Sequence, residues 1–441
     1  MAQPFPTPAP SSTPSAPIPE ISRPAQGGPI PNALSLDEVL RLANTQASSF
    51  QSASINERIA AEDVRQAQAA FLPKVSAPLS YIYTTPACCL PPGEPRQPSF
   101  VSADAIGVTN ALVNVAGDLD VAGRLRATLA KNRALLAAAH AGTDVARRAL
   151  TQAVIEAYYG LALASAQRRA AEGNLAAALE FENITSLLLS GGEVASVDLT
   201  RAQLQTIARR DELARARVNE DVASGALRVF VGYEFSRPID TIDLNLAVPS
   251  DSEYQQFRAD EVSRRPEFIQ LDQELRAARQ DVRIARADRL PSLAYSINGG
   301  FNTDSIKEPR LKEHSGVSAA ITFSIPIFDW GATRSREAQA QLRVQLAENE
   351  RTIALRGFTQ QFYAARAQVE SAVSRIALAR EGVTKAQDNL AASIARYRAG
   401  EAPISEVTDG QTTLVEQRSA LYQAIFDYQT ALGRLKQATG R

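Results

Sequence analysis

The sequence has no surplus of either charge, with 47 lysines and arginines against 48 aspartates and glutamates, so it lacks the basic excess of a nucleic-acid-binding protein. It also lacks any uninterrupted apolar run of about 18 residues, which excludes transmembrane helices on length. Barrel strands survive that exclusion, because each needs only about ten residues of alternating character. No charged stretch followed by an apolar core opens the chain, so no secretory signal is expected in it; for an exported protein, Met1-Ala2-Gln3 would suit a mature end with an added initiator. Cysteine is nearly absent. Cys88 and Cys89 adjoin in a proline-rich loop with no histidine nearby, which is far from a metal constellation, and the pair is read as inessential rather than as a vicinal disulfide, lipid or metal site. The two histidines, His140 among alanines and His314 in a loop, are read as structural or solvated. Asp and Glu stand three and four residues from Arg, as solvated ion pairs do. The glycine pairs at 191 and 299 are followed by no Lys-Ser/Thr of a phosphate loop, and the Asn183-Ile184-Thr185 sequon falls inside a helical stretch. No enzyme, cofactor or metal is expected.

What is present is organised around residues 317–398. Val317, Ala319, Ile321, Phe323 and Ile325 alternate with Ser318, Ala320, Thr322 and Ser324, the period of a strand with one greasy and one small polar face. After Pro326, Phe328, Asp329 and Gly331 the composition turns to Ala, Arg, Gln, Glu and Leu for over sixty residues without proline. That is helical composition, and such a helix is about 100 Å long. No ordinary globular domain needs a rod of that length. An apolar-faced strand feeding such a rod suggests a membrane barrel continued by a helical tube.

In chain order, residues 1–33 hold ten prolines up to residue 32 and read as a disordered or polyproline tail. A first helix starts at Ser35 as N-cap and runs to about Phe71, before Pro73. Val75, Leu79 and Tyr81 alternate with Ser76 and Ser80 as a first strand, and a return strand is expected over 105–115, with Asn110 and Asn114 breaking its alternation. Helical composition follows from Asp120 to Ser190, with an alanine-rich seam. Gly191-Gly192 ends it and a partner helix runs to about Val231. Residues 232–256 form an irregular linker. The order then repeats: a helix from about Asp260 to Arg289, a strand from Leu290 carrying Leu293 and Tyr295, the return strand, the rod, a turn at Gly400 and a last helix to about Ala438. Phe71-Leu72-Pro73 matches Arg289-Leu290-Pro291, Leu119-Asp120 matches Phe328-Asp329, Tyr158-Tyr159 matches Phe362-Tyr363, and Gly192-Glu193 matches Gly400-Glu401. The chain is a tandem duplication with repeats over 34–231 and 257–441.

These features together resemble the TolC-type outer membrane factor family, the exit ducts of tripartite efflux pumps and type I secretion systems. The carriers are the two Leu-Pro strand openings, Ile325-Pro326-Ile327-Phe328-Asp329-Trp330-Gly331, Tyr397-Arg398-Ala399-Gly400-Glu401 with Ser405-Glu406-Val407, and the looser first tip Ser190-Gly191-Gly192-Glu193 with Asp198-Leu199, over residues 34–438. The resemblance implies a mainly α fold with a β-barrel portion: a homotrimer, four strands per chain in a twelve-stranded barrel, and a coiled-coil tunnel in the periplasm. Four strands cannot close a barrel alone, which agrees. It further implies the outer membrane of a Gram-negative bacterium, outer membrane lipid against the apolar strand parity (Val75, Leu79, Tyr81, Leu293, Tyr295, Ile321, Phe323, Ile325), and Ser76, Ser80, Ser292, Ser296, Ser318, Thr322 and Ser324 towards the lumen. A periplasmic adaptor (membrane fusion) protein, and through it an inner membrane transporter, would dock at the tips (Gly191, Gly192, Glu193, Gly400, Glu401). Asp198, Tyr397, Glu406 and Asp409 match an aperture gate, whereas Ala402 stands where that gate has an arginine; Arg396 or Arg398 could substitute. The competing readings are a periplasmic coiled-coil adaptor and a soluble scaffold, neither of which needs two alternating strand pairs.

Overall fold

The computed structural model describes residues 33–85, 107–237, 239–244, 253–304 and 306–440. The proline-rich tail up to residue 32, Cys88 and Cys89 with their loop, and residues 245–252 of the expected linker lie outside them. The described elements run α1 (Leu36–Ala43), α2 (Ser49–Ala69), β1 (Lys74–Ser76), β2 (Leu79–Tyr83), β3 (Gly107–Leu119), α3 (Arg124–Ser190), α4 (Ser196–Val231), a 3-10 turn (Ala259–Arg264), α5 (Pro266–Ala287), β4 (Ser292–Thr303), α6 (Glu308–Glu313), β5 (Ser315–Ser324), α7 (Ala332–Arg398) and α8 (Ile404–Ala438).

Several boundaries differ from the sequence reading, each for a local reason. Ser35 does cap α1, its hydroxyl accepting the Glu38 N–H at 3.3 Å, but the helix stops at Ala43. Ser48, extended at φ −156°, restarts the chain as a second cap by accepting the Gln51 N–H. Asp120 lies ahead of α3 rather than in it. Its carboxylate accepts the Leu125 and Arg126 N–H groups at 2.9 and 3.0 Å, so it caps the rod from outside. Asp329 does the same for α7 through the Thr333 N–H at 2.7 Å. The second-repeat helix expected from Asp260 opens as the 3-10 turn, and α5 begins only where Pro266 takes its first position. The loop holding His314 contains α6.

The two rods have 67 residues each, which makes both about 100 Å long. Each folds back on a shorter partner, α3 on α4 and α7 on α8, and α3 also packs on α8. The lower half of α7 keeps a strict heptad: Phe362, Val369 and Ile376 alternate with Ala365, Ala372, Ala379 and Ala386, all buried, ending at Ser393 and Tyr397. Such a repeat imposes left-handed supercoiling, and alanine at every second seam position lets backbones approach. Small seam residues of α3 (Ala164, Ala171, Ala178, Thr185) recur at the same distance from the tip as Ala372, Ala379, Ala386 and Ser393 of α7. Higher up, the match slips by one turn. Tyr158 precedes Ala164 by 6 residues, whereas Phe362 precedes Ala372 by 10.

Tyr158 and Phe362 sit in the main core, where α1, α3, α4, α7 and α8 converge with Leu161, Leu227, Leu244 and Tyr428. The Tyr158 hydroxyl donates to the Leu34 carbonyl at 2.8 Å and accepts the Ile242 N–H at 3.3 Å, joining the start of the first repeat to the linker that follows it. Burial, and then the neighbouring Tyr158 and Glu253, push the Tyr159 phenol up to about 12.

Above the rods lies one antiparallel sheet, in the order β1/β2, β3, β4, β5. β1 and β2 share one register on β3 and part only at Pro78. Proline has no N–H to give, though its carbonyl still accepts the Leu112 N–H at 3.2 Å. β3 of the first repeat pairs with β4 of the second from Thr109↔Thr303 to Leu119↔Leu293, so the repeats are sewn together in the sheet.

Candidate functional site

The registers decide which strand residues share a face. Val75 lies opposite Val115, Ile297 and Ala319 in successive strands, Leu79 opposite Ala111 and Phe301, and Tyr295 opposite Ile321 and Gly117. Leu293 stands beside Phe323, and Tyr81 continues the row of Leu79. Thus Val75, Leu79, Tyr81, Leu293, Tyr295, Ile321 and Phe323 occupy one face; Ile325 follows just beyond β5. Most are open to the surroundings, with Leu79 76% and Ile321 77% exposed. The Tyr295 ring covers the place a side chain would take at Gly117, an aromatic filling the gap of a strand glycine. The opposite face carries Ser76, Ser80, Ser292, Ser296, Ser318, Thr322 and Ser324. Asn110 and Asn114 belong to this second face. They pair in register with Asn302 and Asn298, and the Asn114 amide donates to Asn298 at 2.5 Å. They complete the alternation of β3 instead of breaking it, and the strand runs to Leu119, past the expected end; Val108 and Leu112 on the same face had hidden the pattern.

At the far end the two helix turns are built alike. Gly192 (φ 77°) and Gly400 (φ 74°) take the left-handed conformation, while Gly191 stays helical at −80°. In the first turn the Glu193 N–H reaches the Leu188 carbonyl at 2.9 Å and the Gly192 N–H the Leu189 carbonyl at 3.0 Å. In the second, Glu401 reaches Arg396 at 2.9 Å and Gly400 reaches Tyr397 at 3.0 Å. Both are Schellman closures. Glu193 and Glu401 are exposed at the apex.

The four residues matched to a gate are placed unequally. Tyr397, the last knob of the α7 seam, is only 4% exposed and packs on Phe181 at 5.3 Å with Ile404 and Val407. Its buried hydroxyl finds no hydrogen-bond partner among the described residues. Glu406 opens α8 and meets Arg396 at 2.6 Å and the Ser393 hydroxyl at 3.4 Å. Arg396 is therefore the arginine beside Glu406, and Ala402 is buried. Arg398 points instead to Glu180 of α3 at 4.0 Å. Asp198 opens α4 and faces Arg201 of its own helix at 3.7 Å; Asp409 is exposed. Phe181 and the amide row were not singled out from the sequence. Their signal lies in partners roughly two hundred positions away, which periodicity does not reveal.

Beside the tip a cavity of about 410 Å³ opens between α3 and α7 over α8, lined by Phe181, Ile184, Leu390, Ile394, Leu414 and Arg418. No helix among the described residues is long and apolar enough to cross a membrane.

The sequence profile of a family described as "Outer membrane efflux protein" matches residues 39–233 and 259–441. The chain is 25% identical over 259 residues to outer membrane protein TolC of Escherichia coli, covering 56% of this chain and 52% of TolC. It is 25% identical over 270 residues to outer membrane efflux protein BepC of Brucella suis, covering 61% and 58%. The alkaline protease secretion protein AprF of Pseudomonas aeruginosa is 24% identical over 290 residues, covering 64% and 60%. The chain thus spans just over half the length of these relatives. Among solved structures, the CmeC outer membrane channel of Campylobacter jejuni superposes with a TM-score of 0.81 at 17% identity, over 92% of this chain and 85% of that one. The outer membrane protein VceC of Vibrio cholerae superposes at 0.79 and 19% identity, over 92% and 96%.

Proposed function

The chain belongs to the outer membrane efflux protein family, and from that premise we propose that it is the outer membrane channel-tunnel of an efflux pump or type I secretion system. It acts as a passive exit duct and not as an enzyme. The observation that carries this reading is the sheet: four strands, with β1 and β2 counted as one interrupted at Pro78, that have one greasy face, one amide- and hydroxyl-rich face and two edges unpaired among the described residues, continuing into a pair of 67-residue rods. Unpaired edges are not tolerated in lipid, so the sheet has to be completed by copies of itself. Three copies give twelve strands, enough for an open lumen. Lipid meets the face of Val75 and Ile321, and cargo passes the face of Asn114 and Thr322. The rods hang into the periplasm. Their tips, with Glu193 and Glu401 at the apex, present the docking points for an adaptor that links the duct to an inner membrane transporter. Neither a soluble scaffold nor an adaptor has use for a lipid-facing parity.

Two measurements on one preparation test this. Density separation of cell membranes should place the chain with the outer membrane, and its mass in detergent should be that of a trimer. A monodisperse monomer retaining its β-structure would sink the proposal.

A further inference from the structure

The junction between β5 and α7 carries the one tryptophan of the chain, Trp330, and it is 90% exposed. It is the one non-glycine residue with a left-handed backbone among those described, at φ 54°. A bulky side chain does not settle there without something to hold it. Asp329 holds it: the carboxylate accepts the N–H groups of Gly331 at 3.1 Å and Thr333 at 2.7 Å, together with the Thr333 hydroxyl, and so ties the residue before the indole to the two peptides that follow it. Phe328 packs its ring edge-on against Trp330, with centroids 4.7 Å apart, and is itself 72% exposed. A turn so firmly built that nonetheless sends its rings outward is shaped for a surface.

The occupant of that surface follows from what lies on either side. Towards the sheet, the apolar parity runs unbroken from Ile321 and Phe323 through Ile325 to Ile327. Towards the helix it ends abruptly: the first turn of α7 holds Arg334 and no acidic residue, and Arg336 follows. α3 likewise starts with Arg124 and Arg126 and no acid in its first turn. Cations at a helix N-terminus oppose its dipole, so these arginines do not serve the helices. Arg126 is tied to Asp120 at 2.9 Å, and Arg124 and Arg336 share Asp288 at 3.5 and 4.0 Å. Arg334 is exposed and makes no ion pair among the described residues. Apolar face, indole, then arginines is the order of hydrocarbon, interface and phosphate.

Resting on the channel reading, we propose that Trp330, backed by Phe328 and followed by Arg334, is an interfacial anchor. It seats in the phospholipid leaflet on the helical side and fixes the depth of the barrel in the bilayer. The first repeat has Val121 in the matching turn, so each chain brings one indole and a trimer three.

Because the indole is unique, its emission reports its depth without labelling. The full chain is reconstituted into phosphatidylethanolamine–phosphatidylglycerol vesicles doped with phosphatidylcholine brominated either near the carbonyl end or near the methyl end of its acyl chains. Trp330 should be quenched about two-fold more by the shallow bromines than by the deep ones. A second protein, Ile321→Trp with Trp330→Phe, moves the indole to the lipid face of β5, where deep bromines should prevail. Quenching at 321 with none at 330 overturns the anchor and leaves the channel standing; quenching at neither overturns both. Trp330→Gly in the Ile321→Trp protein relieves the left-handed backbone and removes the ring. The preference for deep bromines at 321 should then fall by about half as the barrel loses its fixed depth. An unchanged preference overturns the anchor, because the ring would be exposed without holding anything.

Discussion

Neighbouring residues on a strand of this sheet have opposite fates, and a charge tells them apart. Ile321 and Thr322 are adjacent in β5 and face opposite sides. An arginine on the lipid face near mid-bilayer costs about 2–4 kcal/mol, while one on the luminal side stays in water. Ile321→Arg should therefore cut the yield of heat-resistant trimer on gels, and Thr322→Arg should leave it near wild type; equal yields would mean that the strand does not meet lipid. At the tips the acids differ in the same manner. Glu406 is neutralised by Arg396 at 2.6 Å, whereas Asp409 is exposed, and in the proposed trimer three copies of it would form a ring of like charges. Such a ring favours cations and weakens with salt. In planar bilayers Asp409→Asn should lower cation selectivity more than Glu406→Gln, and the difference should shrink at high salt. Tyr397 earns its place through packing. Its place at the second tip was legible in the sequence, but its burial was not, because the ring that covers it, Phe181, belongs to α3.

Among the elements, the rods were the easiest to read. Alanine-rich heptads without proline leave no alternative to helix, and the strands follow from a period of two. The break between α1 and α2 was hidden, since Asn44, Thr45 and Gln46 are tolerated in helices and the restart at Ser48 depends on its extended backbone. The two tips carry a prediction at this scale. A Cβ at Gly192 or Gly400 would meet nothing within 4 Å, so alanine there costs only the left-handed conformation, about 1–2 kcal/mol. Gly400→Ala should lower the melting temperature, and Gly400→Asn, which tolerates φ > 0, should restore it. Export that stays lost in the asparagine variant would identify the tip as a contact surface; recovered export would make the glycine a cap alone. A second concerns α2 on α3. Glu57 accepts the Thr143 hydroxyl at 2.8 Å and meets His140 at 2.9 Å, and those bonds, the Thr143 one foremost, hold its carboxyl below its usual 4.5 although burial works against them. A lowered folded-state pKa gives stability that is present above the unfolded value and vanishes as pH drops through the folded one. Glu57→Gln should thus cost about 1 kcal/mol at neutral pH and nothing in acid well below pH 4.5, as read from melting curves at both.

For the whole molecule, duplication was visible from the quoted pairs of motifs, while the way the halves join was not. Sequence similarity between repeats says that each has a strand pair and a hairpin of helices. It does not say that β3 would find β4, or that Tyr158 would bind both Leu34 and the chain near Ile242. That seam also sets a schedule. Asn114 and its partner Asn298 are 184 residues apart, and ribosomes add about 5–20 residues per second, so β3 emerges roughly 10–40 s before the strand that completes it. For that interval the first repeat can form its coiled coil and its β1/β2–β3 pairing, but it exposes a bare strand edge and a greasy face to whatever it meets. The apolar face of the sheet is thus complete only once β5 has been made, almost three quarters of the way through synthesis, and until β4 arrives the first repeat carries β3 with one edge unpaired.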